Sequence, residues 1–284
     1  MEIINRRQRM FSISRKLRRE SKTVGFVPTM GALHEGHLTL VREARQMCDV
    51  VIVSIFVNPT QFNNSIDLEK YPRDLTGDVA LLAEYEVDYV FAPEEGEIYP
   101  DGFSTYVNVQ NVTDTLEGES RPGHFRGVAT VVTILFNTIR PDSAFFGQKD
   151  AQQVAVIKRL TTDLGFETEI VVVPTIREES GLAMSSRNER LSAEEREKAV
   201  VIINALREAK IAFKKGERNA SELTQIVKKH IATEPLAKLD YVEIVDRDSM
   251  QRLEKVGDSE ALIVIAAYFG DVRLIDNVIL NRKQ

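Results

Sequence analysis

Tryptophan is absent from this 284-residue chain, cysteine occurs once and histidine four times. With one thiol, Cys48, no intramolecular disulfide can form and no thiolate metal site can be assembled. Cys48 follows Leu38, Val41, Ala44 and Met47 at helical spacing, which reads as a small core residue and not as a nucleophile. Long apolar runs are also missing. The uncharged, mostly apolar run Gly127–Ile139 is too short to cross a bilayer and is bracketed by Arg126 and Arg140, so no membrane association is expected. Met1–Arg9 has basic residues but no apolar run and no small-residue cleavage site, so no secretory signal is read and a cytoplasmic location is expected. An excess of positive charge is lacking too. The net charge is -6; residues 179–284 are balanced and the first part carries the whole imbalance. That pattern excludes the basic footprint of a nucleic-acid binder, so any phosphate must be held by local geometry. Several motifs are absent as well: the P-loop, the Gly-x-Gly-x-x-Gly dinucleotide fingerprint, the Gly-x-Ser-x-Gly elbow and the kinase set.

What is present is an ordinary globular composition, 43% hydrophobic and 28% charged, at a length that suits one large domain or two modest ones. The first part alternates. Short strands are read at Val24–Val27, Val50–Val57, Asp88–Phe91, Ser143–Gly147 and Glu167–Val173. Helical spacing falls between them at Leu38–Cys48, Asp74–Glu86, Phe125–Ile139 and Ala151–Leu164. Alternating strands and helices imply βαβ units, hence a doubly wound parallel sheet whose ligands sit beyond the carboxyl ends of the strands. After about residue 178 the pattern changes. Ser192 with Glu195 reads as a capping box before Ala199, Ile202, Leu206, Ala209 and Phe213, and Gly216 closes that helix. Asn219 with Glu222 opens another, and Tyr241–Val245, Ala261–Ala267 and Val272–Leu280 read as strands. A larger domain over 1–177 and a smaller α+β domain over 178–284 are expected.

The chemistry-bearing residues fall in loops of this scheme. Pro28–His37 follows a strand and opens a helix, a place where N–H groups and the helix dipole favour an anion; His34 and His37 are spaced to face one ligand. The spacing does not match the zincin helix, which needs His at i and i+4. Ser54–Phe62 leaves the most buried strand and carries Asn58 and Gln61, although an Asn-Pro turn with no further role fits equally well. Glu119–Thr130 is a basic Gly-rich loop. Phe145–Gln153 is a strand–turn–helix with the cation Lys149, and either Gln152 or Gln153 should face the site. Arg177–Asn188 places Ser185, Ser186 and Arg187 together, a set suited to phosphate oxygens. His230 ends a helix and reads as solvated or dipole-capping. A phosphate site without a P-loop but with a His-x-Gly-His turn points to adenylyl transfer.

Together Pro28–His37, Phe56–Phe62, Tyr71–Arg73, Arg121–Thr130, Phe146–Gln153, Gly181–Asn188 and Arg273–Asn277 resemble, in order and along nearly the whole chain, the pantoate–β-alanine ligase (pantothenate synthetase) family of the nucleotidyltransferase superfamily. The resemblance implies a Rossmann-like larger domain and a smaller lid domain. It implies ligation of D-pantoate to β-alanine with ATP, through pantoyl adenylate, giving pantothenate, AMP and diphosphate. Another adenylyltransferase of the superfamily is the alternative. By the same resemblance His34, His37, Lys149 and Arg187 would be catalytic. ATP would meet Met30, Gly31, Ala32, Leu33, His34, Glu35, Gly36 and His37, then Gly147, Gln148, Lys149 and Asp150, then Ile176, and then Met184, Ser185, Ser186 and Arg187. Gln61 and Gln153 would hold pantoate, with Gln61 also bordering β-alanine. Mg²⁺ is expected to arrive with ATP. No protein ligand for it is assigned: Asp78 is a candidate, although it reads better as a surface-helix carboxylate. A homodimer is implied. One departure stands out: Ser180 occupies a position where the family usually has Asp.

Overall fold

The computed structural model describes residues 1–63, 65–69 and 71–281. In chain order the elements of the first part are β1 (Glu2–Ile4), α1 (Arg7–Arg19), β2 (Val24–Thr29), α2 (Glu35–Met47), β3 (Val50–Ile55), α3 (Ser65–Glu69), α4 (Leu75–Ala83), β4 (Tyr89–Phe91), α5 (Glu95–Ile98), α6 (Glu117–Ser120), α7 (His124–Ile139), β5 (Ser143–Gly147), α8 (Ala151–Asp163) and β6 (Glu169–Val173). Those that follow are α9 (Ala193–Lys198), α10 (Val201–Lys214), α11 (Ala220–Ile231), β7 (Ala237–Asp246), β8 (Ala261–Phe269) and β9 (Val272–Leu280). Among the described residues, no helix is long and apolar enough to cross a membrane.

The chain divides into two compact units, one of Met1–Gly147 with Val156–Val173, the other of Gln148–Ala155 with Pro174–Gln284. The first is built on a parallel six-stranded sheet of order β1-β4-β3-β2-β5-β6. The continuous Val/Ile composition of β3 follows from burial on both faces. Val51 and Val53 pack with Leu38, Val41, Ala44 and Cys48 on the α2 side, while Phe26 of β2 meets Phe136 of α7 with ring centroids 6.3 Å apart. From β2 the chain steps outward through β3 and β4, then returns to place β5 on the other side of β2. The switch between β2 and β5 is where an open α/β sheet leaves a crevice at its carboxyl edge. The Rossmann-like expectation is met there; the N-terminal strand β1 and helix α1 carry no assignment in the sequence reading.

The second unit packs α10 and α11 on an antiparallel sheet of order β7-β8-β9, around a core that includes Leu206, Phe213, Leu223, Ile263 and Phe269. Ser192 and Glu195 form the expected capping box, and Asn219 caps α11. The single helix expected after Ser192 is two helices. The backbone tightens at Ala199, whose carbonyl accepts from Ile202 N–H three residues on, yet Ala199, Ile202, Leu206, Ala209 and Phe213 all remain buried. His230 does not stand alone in solvent: its Nδ1 lies 2.6 Å from Glu208 Oε2. Residues 148–155, read from sequence as part of the larger domain, group with this second unit, where Asn277 of β9 bonds Gln148 and Lys149.

Candidate active site

The Pro28–His37 loop leaves β2 beside the switch point, and two devices fix its shape. Gly31 and Ala32 both take the left-handed conformation, φ +81° and +51°. For Ala32 that backbone is strained. Asp78 of α4 holds it: Oδ2 accepts from Ala32 N–H (3.0 Å) and Oδ1 from Leu33 N–H (2.8 Å). Asp78 is therefore no surface-helix carboxylate; it is 4% exposed. Burial pushes its carboxyl above the ordinary range, and the two N–H bonds offset only part of that push. Gly31 is required as well, since a Cβ there would lie 2.8 Å from Asp78 Oδ2.

The second device is a capping box made of imidazoles. His34 is the N-cap of α2; its Nδ1 accepts from Gly36 N–H (3.1 Å), and His37 Nδ1 accepts from His34 N–H (3.4 Å). The rings lie 4.2 Å apart between centroids. A ring nitrogen that accepts carries no proton, so each neutral imidazole bears its proton on Nε2. The expectation of open N–H groups at this helix start is thus revised. The N–H groups of Ala32, Leu33, His34 and Gly36 have partners in the protein, and the neutral imidazoles add Nε2–H donors to the motif.

Beyond β3, a short 3₁₀ turn, Pro59–Gln61, presents the second motif. Gln61 Nε2 donates to Met30 Sδ at 3.2 Å, which brings the first two motifs together. Asn58 Nδ2 donates to Gln61 Oε1 (3.0 Å) and to Gly127 O (3.2 Å), and Asn58 Oδ1 accepts from Tyr99 OH at 2.7 Å. Burial pushes the Tyr99 hydroxyl up to about 12, so it remains a donor. The Gln61 carbonyl accepts from His124 Nδ1–H (2.8 Å), and His124 Nε2 lies 3.2 Å from Arg121 Nη1. Gly127 has a steric role: a Cβ there would come within 2.5 Å of Thr60 O. The basic loop of the third motif thus supports the Gln61 turn from beneath. Tyr99 was not singled out in the sequence reading, and the positioning roles of Asp78 and His124 were not read there, because their partners lie far away along the chain.

Gly147 ends β5 in the first unit, and the remaining predicted residues lie in the second. The Gln148–Asp150 turn opens α8. Lys149 Nζ stands 3.7 Å from Asp150 Oδ1. Gln152 is buried and Gln153 half-buried, which makes Gln153 the more accessible of the pair. Residues 176–184 form a narrow hairpin: Met184 N–H donates to Ile176 O and Glu178 N–H to Leu182 O, both at 2.9 Å. Ser180 sits in its turn, and its hydroxyl accepts from Leu182 N–H at 3.4 Å. That is the bond an aspartate makes in the same kind of turn, so the departure at this position keeps the local geometry. Ser185 caps the next turn through Arg187 N–H. Asn188 donates to Glu178 Oε1 (2.8 Å) and Ala183 O (3.0 Å), and Glu178 also binds Arg196. Burial alone would push the Glu178 carboxyl up; Arg196 and Asn188 outweigh it and hold it below its ordinary value.

The structure therefore brings His34, His37, Met30 and Gln61 together in the first unit. Gln148–Asp150, Gln153, Ile176 and Met184–Arg187 belong to the second. Among the described residues, no group of three or more His, Cys, Asp or Glu side chains could hold a metal ion, and both oxygens of Asp78 are engaged by backbone N–H groups.

Comparison with known proteins agrees along the full length. The family model described as pantoate-beta-alanine ligase matches residues 2–279. Pantothenate synthetase of Pelotomaculum thermopropionicum is 52% identical over 94% of this chain and 95% of its own. That of Caldicellulosiruptor saccharolyticus is 50% identical over 99% of this chain and 100% of its own. The crystal structure of pantothenate synthetase from Thermus thermophilus superposes with a TM-score of 0.92 at 42% identity, covering 99% of this chain and 100% of that one. Pantoate-beta-alanine ligase from Francisella tularensis, solved with beta-gamma ATP and beta-alanine, gives 0.82 at 41% identity, covering 100% of this chain and 98% of that one. The chain belongs to the pantoate–β-alanine ligase family.

Proposed function

We propose that this enzyme joins D-pantoate to β-alanine at the expense of ATP. The observation that carries the reading is the imidazole capping box at the carboxyl end of β2, beside the sheet's switch point and in contact through Met30 with Gln61. In the first step a pantoate carboxylate oxygen attacks the α-phosphorus of ATP, the bond to the β-phosphate oxygen breaks, and diphosphate leaves. In the second the β-alanine amine attacks the acyl carbon of pantoyl adenylate, AMP leaves, and the amine loses a proton. No covalent enzyme intermediate is needed, because the acyl adenylate is already activated.

The chain's contribution is positioning and charge. His34 and His37, with protons on Nε2, donate to phosphate oxygens that gain charge as the α-phosphorus is attacked. Lys149 and Arg187 supply cationic partners for the triphosphate, and Met184–Ser186, Ile176 and Gly147–Asp150 line the nucleotide. Gln61 and Gln153 bond pantoate through neutral amides, which do not repel its carboxylate; Gln61 also borders β-alanine. Mg²⁺ enters as part of the MgATP substrate, where it neutralises charge on the phosphates. The division of these residues between two compact units supports a lid role for the smaller one. A cytoplasmic location, where ATP is made and used, and a homodimer, as in the family, complete the proposal.

The test is incubation with ATP, pantoate and β-alanine followed by mass measurement of the product, with pantoate-dependent exchange of labelled diphosphate into ATP as the half-reaction. Pantothenate and AMP in equal amounts are expected. Exchange that ignores pantoate would instead favour another adenylyltransferase activity.

A further inference from the structure

Strand β9 alternates as a half-buried strand should, with Val272, Leu274 and Leu280 in the core of the second unit. Asp276 and Asn277 interrupt that apolar pattern, and both are 4% exposed. Burying a carboxylate and an amide in a strand is costly unless both are fully partnered. Asp276 accepts two bonds from Arg177, Nη1 to Oδ2 at 2.6 Å and Nη2 to Oδ1 at 3.0 Å, and Arg177 also donates to Gly181 O at 3.2 Å. The N–H of Asn277 donates to Asp276 Oδ1 at 2.8 Å, which ties the two residues to each other. Asn277 Oδ1 accepts from Gln148 Nε2 (2.9 Å), and its Nδ2 donates to Gln148 O (2.9 Å) and Lys149 O (3.1 Å). One dipeptide thus grips both the 148–150 turn and the 176–183 hairpin.

Fold stability is a poor reason for this arrangement. A buried ion pair contributes little net stability compared with apolar residues of similar volume, whereas its geometry is highly specific. We propose that Asp276 and Asn277 are positioning residues for ATP: Asn277 sets the backbone that carries Lys149, and Asp276, through Arg177, sets the hairpin that leads into Met184–Arg187. The inference rests on the proposed roles of Lys149 and Arg187, and it makes the two nucleotide-binding segments of the second unit one rigid piece.

Two double-mutant cycles, read as kcat/KM for ATP with saturating pantoate and β-alanine, test it, with a thermal melt of every variant. Asn277→Ala is expected to lower kcat/KM for ATP by about 10–100-fold, the usual loss when an outer partner of a binding group is removed, while KM for pantoate stays unchanged. In a Lys149→Ala background the same substitution should cost far less, because residues acting through one another are not additive. Asp276→Asn with Arg187→Ala should behave likewise. Full additivity in both cycles, or losses that follow the melting temperature and affect pantoate and ATP alike, would overturn the inference and leave the dipeptide a structural element. If Lys149→Ala and Arg187→Ala each react at the wild-type rate, the assignment of those two residues to ATP is what fails, and the positioning role falls with it. If Asn277→Ala does not fold, Asn277→Ser, which can still donate to one of the two carbonyls, enters the same cycle.

Discussion

The two units present candidate ligand-binding groups by different means. In the first, the histidine turn caps itself, with Nδ1 of His34 and His37 accepting from N–H groups two and three residues away, and one distant carboxylate, Asp78, holds the left-handed turn at Ala32. In the second, the shape is imposed from far along the chain, by Asp276 on Arg177 and Asn277 on the 148–149 carbonyls. A parallel-sheet edge offers helix starts and strand ends at which short motifs can shape themselves. An antiparallel sheet under two helices offers no such crevice, so loops beside it need side-chain ties. The difference teaches that removing a residue should have unlike consequences in the two units. In the first it should remove chemistry with little disturbance; in the second it should release a segment.

The largest expected effect falls in the first unit. His37→Ala removes an Nε2–H donor and the imidazole half of the capping box, yet the α2 backbone keeps its own bonds, with Leu38 N–H still donating to His34 O. A donor aimed at developing charge contributes about 10²–10³ in rate. Formation of pantoyl adenylate in a single turnover should slow by about that factor, and preformed pantoyl adenylate should react with β-alanine with a smaller loss. The melting temperature should stay near the wild-type value. Wild-type adenylate formation, or a loss traceable to unfolding, would make His37 structural and erase the contrast between the units.

Gln61→Ala comes next. Its side chain meets Met30 and Asn58, and its backbone carbonyl is held by His124 whatever the side chain is. The turn should therefore survive, and pantoate binding should weaken by roughly 1–3 kcal/mol, the cost of losing a buried polar contact, with ATP affinity unchanged. Titration of each substrate separately checks this. Equal losses for both substrates would mean that the turn had collapsed and that the Gln61 side chain is itself one of the ties that hold it.

The same contrast explains what could be read from sequence. The alternation of β2, α2 and β3, the caps at Ser192 and Asn219, and the loop positions of His34, His37, Gln61 and Lys149 are carried by local spacing, and they were legible. The family, and the roles proposed for Gln153 and for Met184–Arg187 beyond a phosphate-suited set, came from resemblance. Asp78 was misread because its helix gives no sign that one face looks onto a left-handed turn forty-five residues away. His124 lay in a quoted motif, but its bond to the Gln61 carbonyl spans |i−j| = 63. The break between α9 and α10 was hidden because the apolar face continues across it. The grouping of 148–155 with the second unit was invisible because its partners, such as Asn277 at Gln148, lie more than a hundred residues away. Asp276 and Asn277 did leave a signal, two polar residues in an apolar strand, but nothing local identifies their partners.

The smallest effect concerns the ties of the second unit as a function of pH. Glu178 accepts from Asn188 and Arg196, and these bonds hold its carboxyl below its ordinary value of 4.5 despite burial. In the unfolded chain the carboxyl takes up a proton at higher pH than in the folded one, so its contribution is complete above the unfolded value and disappears as pH falls through the folded value. With Arg196 half-exposed, the contribution should be about 1 kcal/mol or less. Thermal melts from neutral pH down into the acid range should therefore show wild type losing stability faster than Glu178→Gln as the pH drops below about 5, the two curves converging at the acid end. Asn188 would then be released from one of its anchors, and the 177–188 segment should become easier to cleave by an acid-active protease in wild type as the pH falls, but not in the variant. Parallel melting curves and equal cleavage would show that the Glu178 bonds contribute nothing to holding the hairpin, which would leave Asp276 and Arg177 as the long-range tie beside its own backbone bonds.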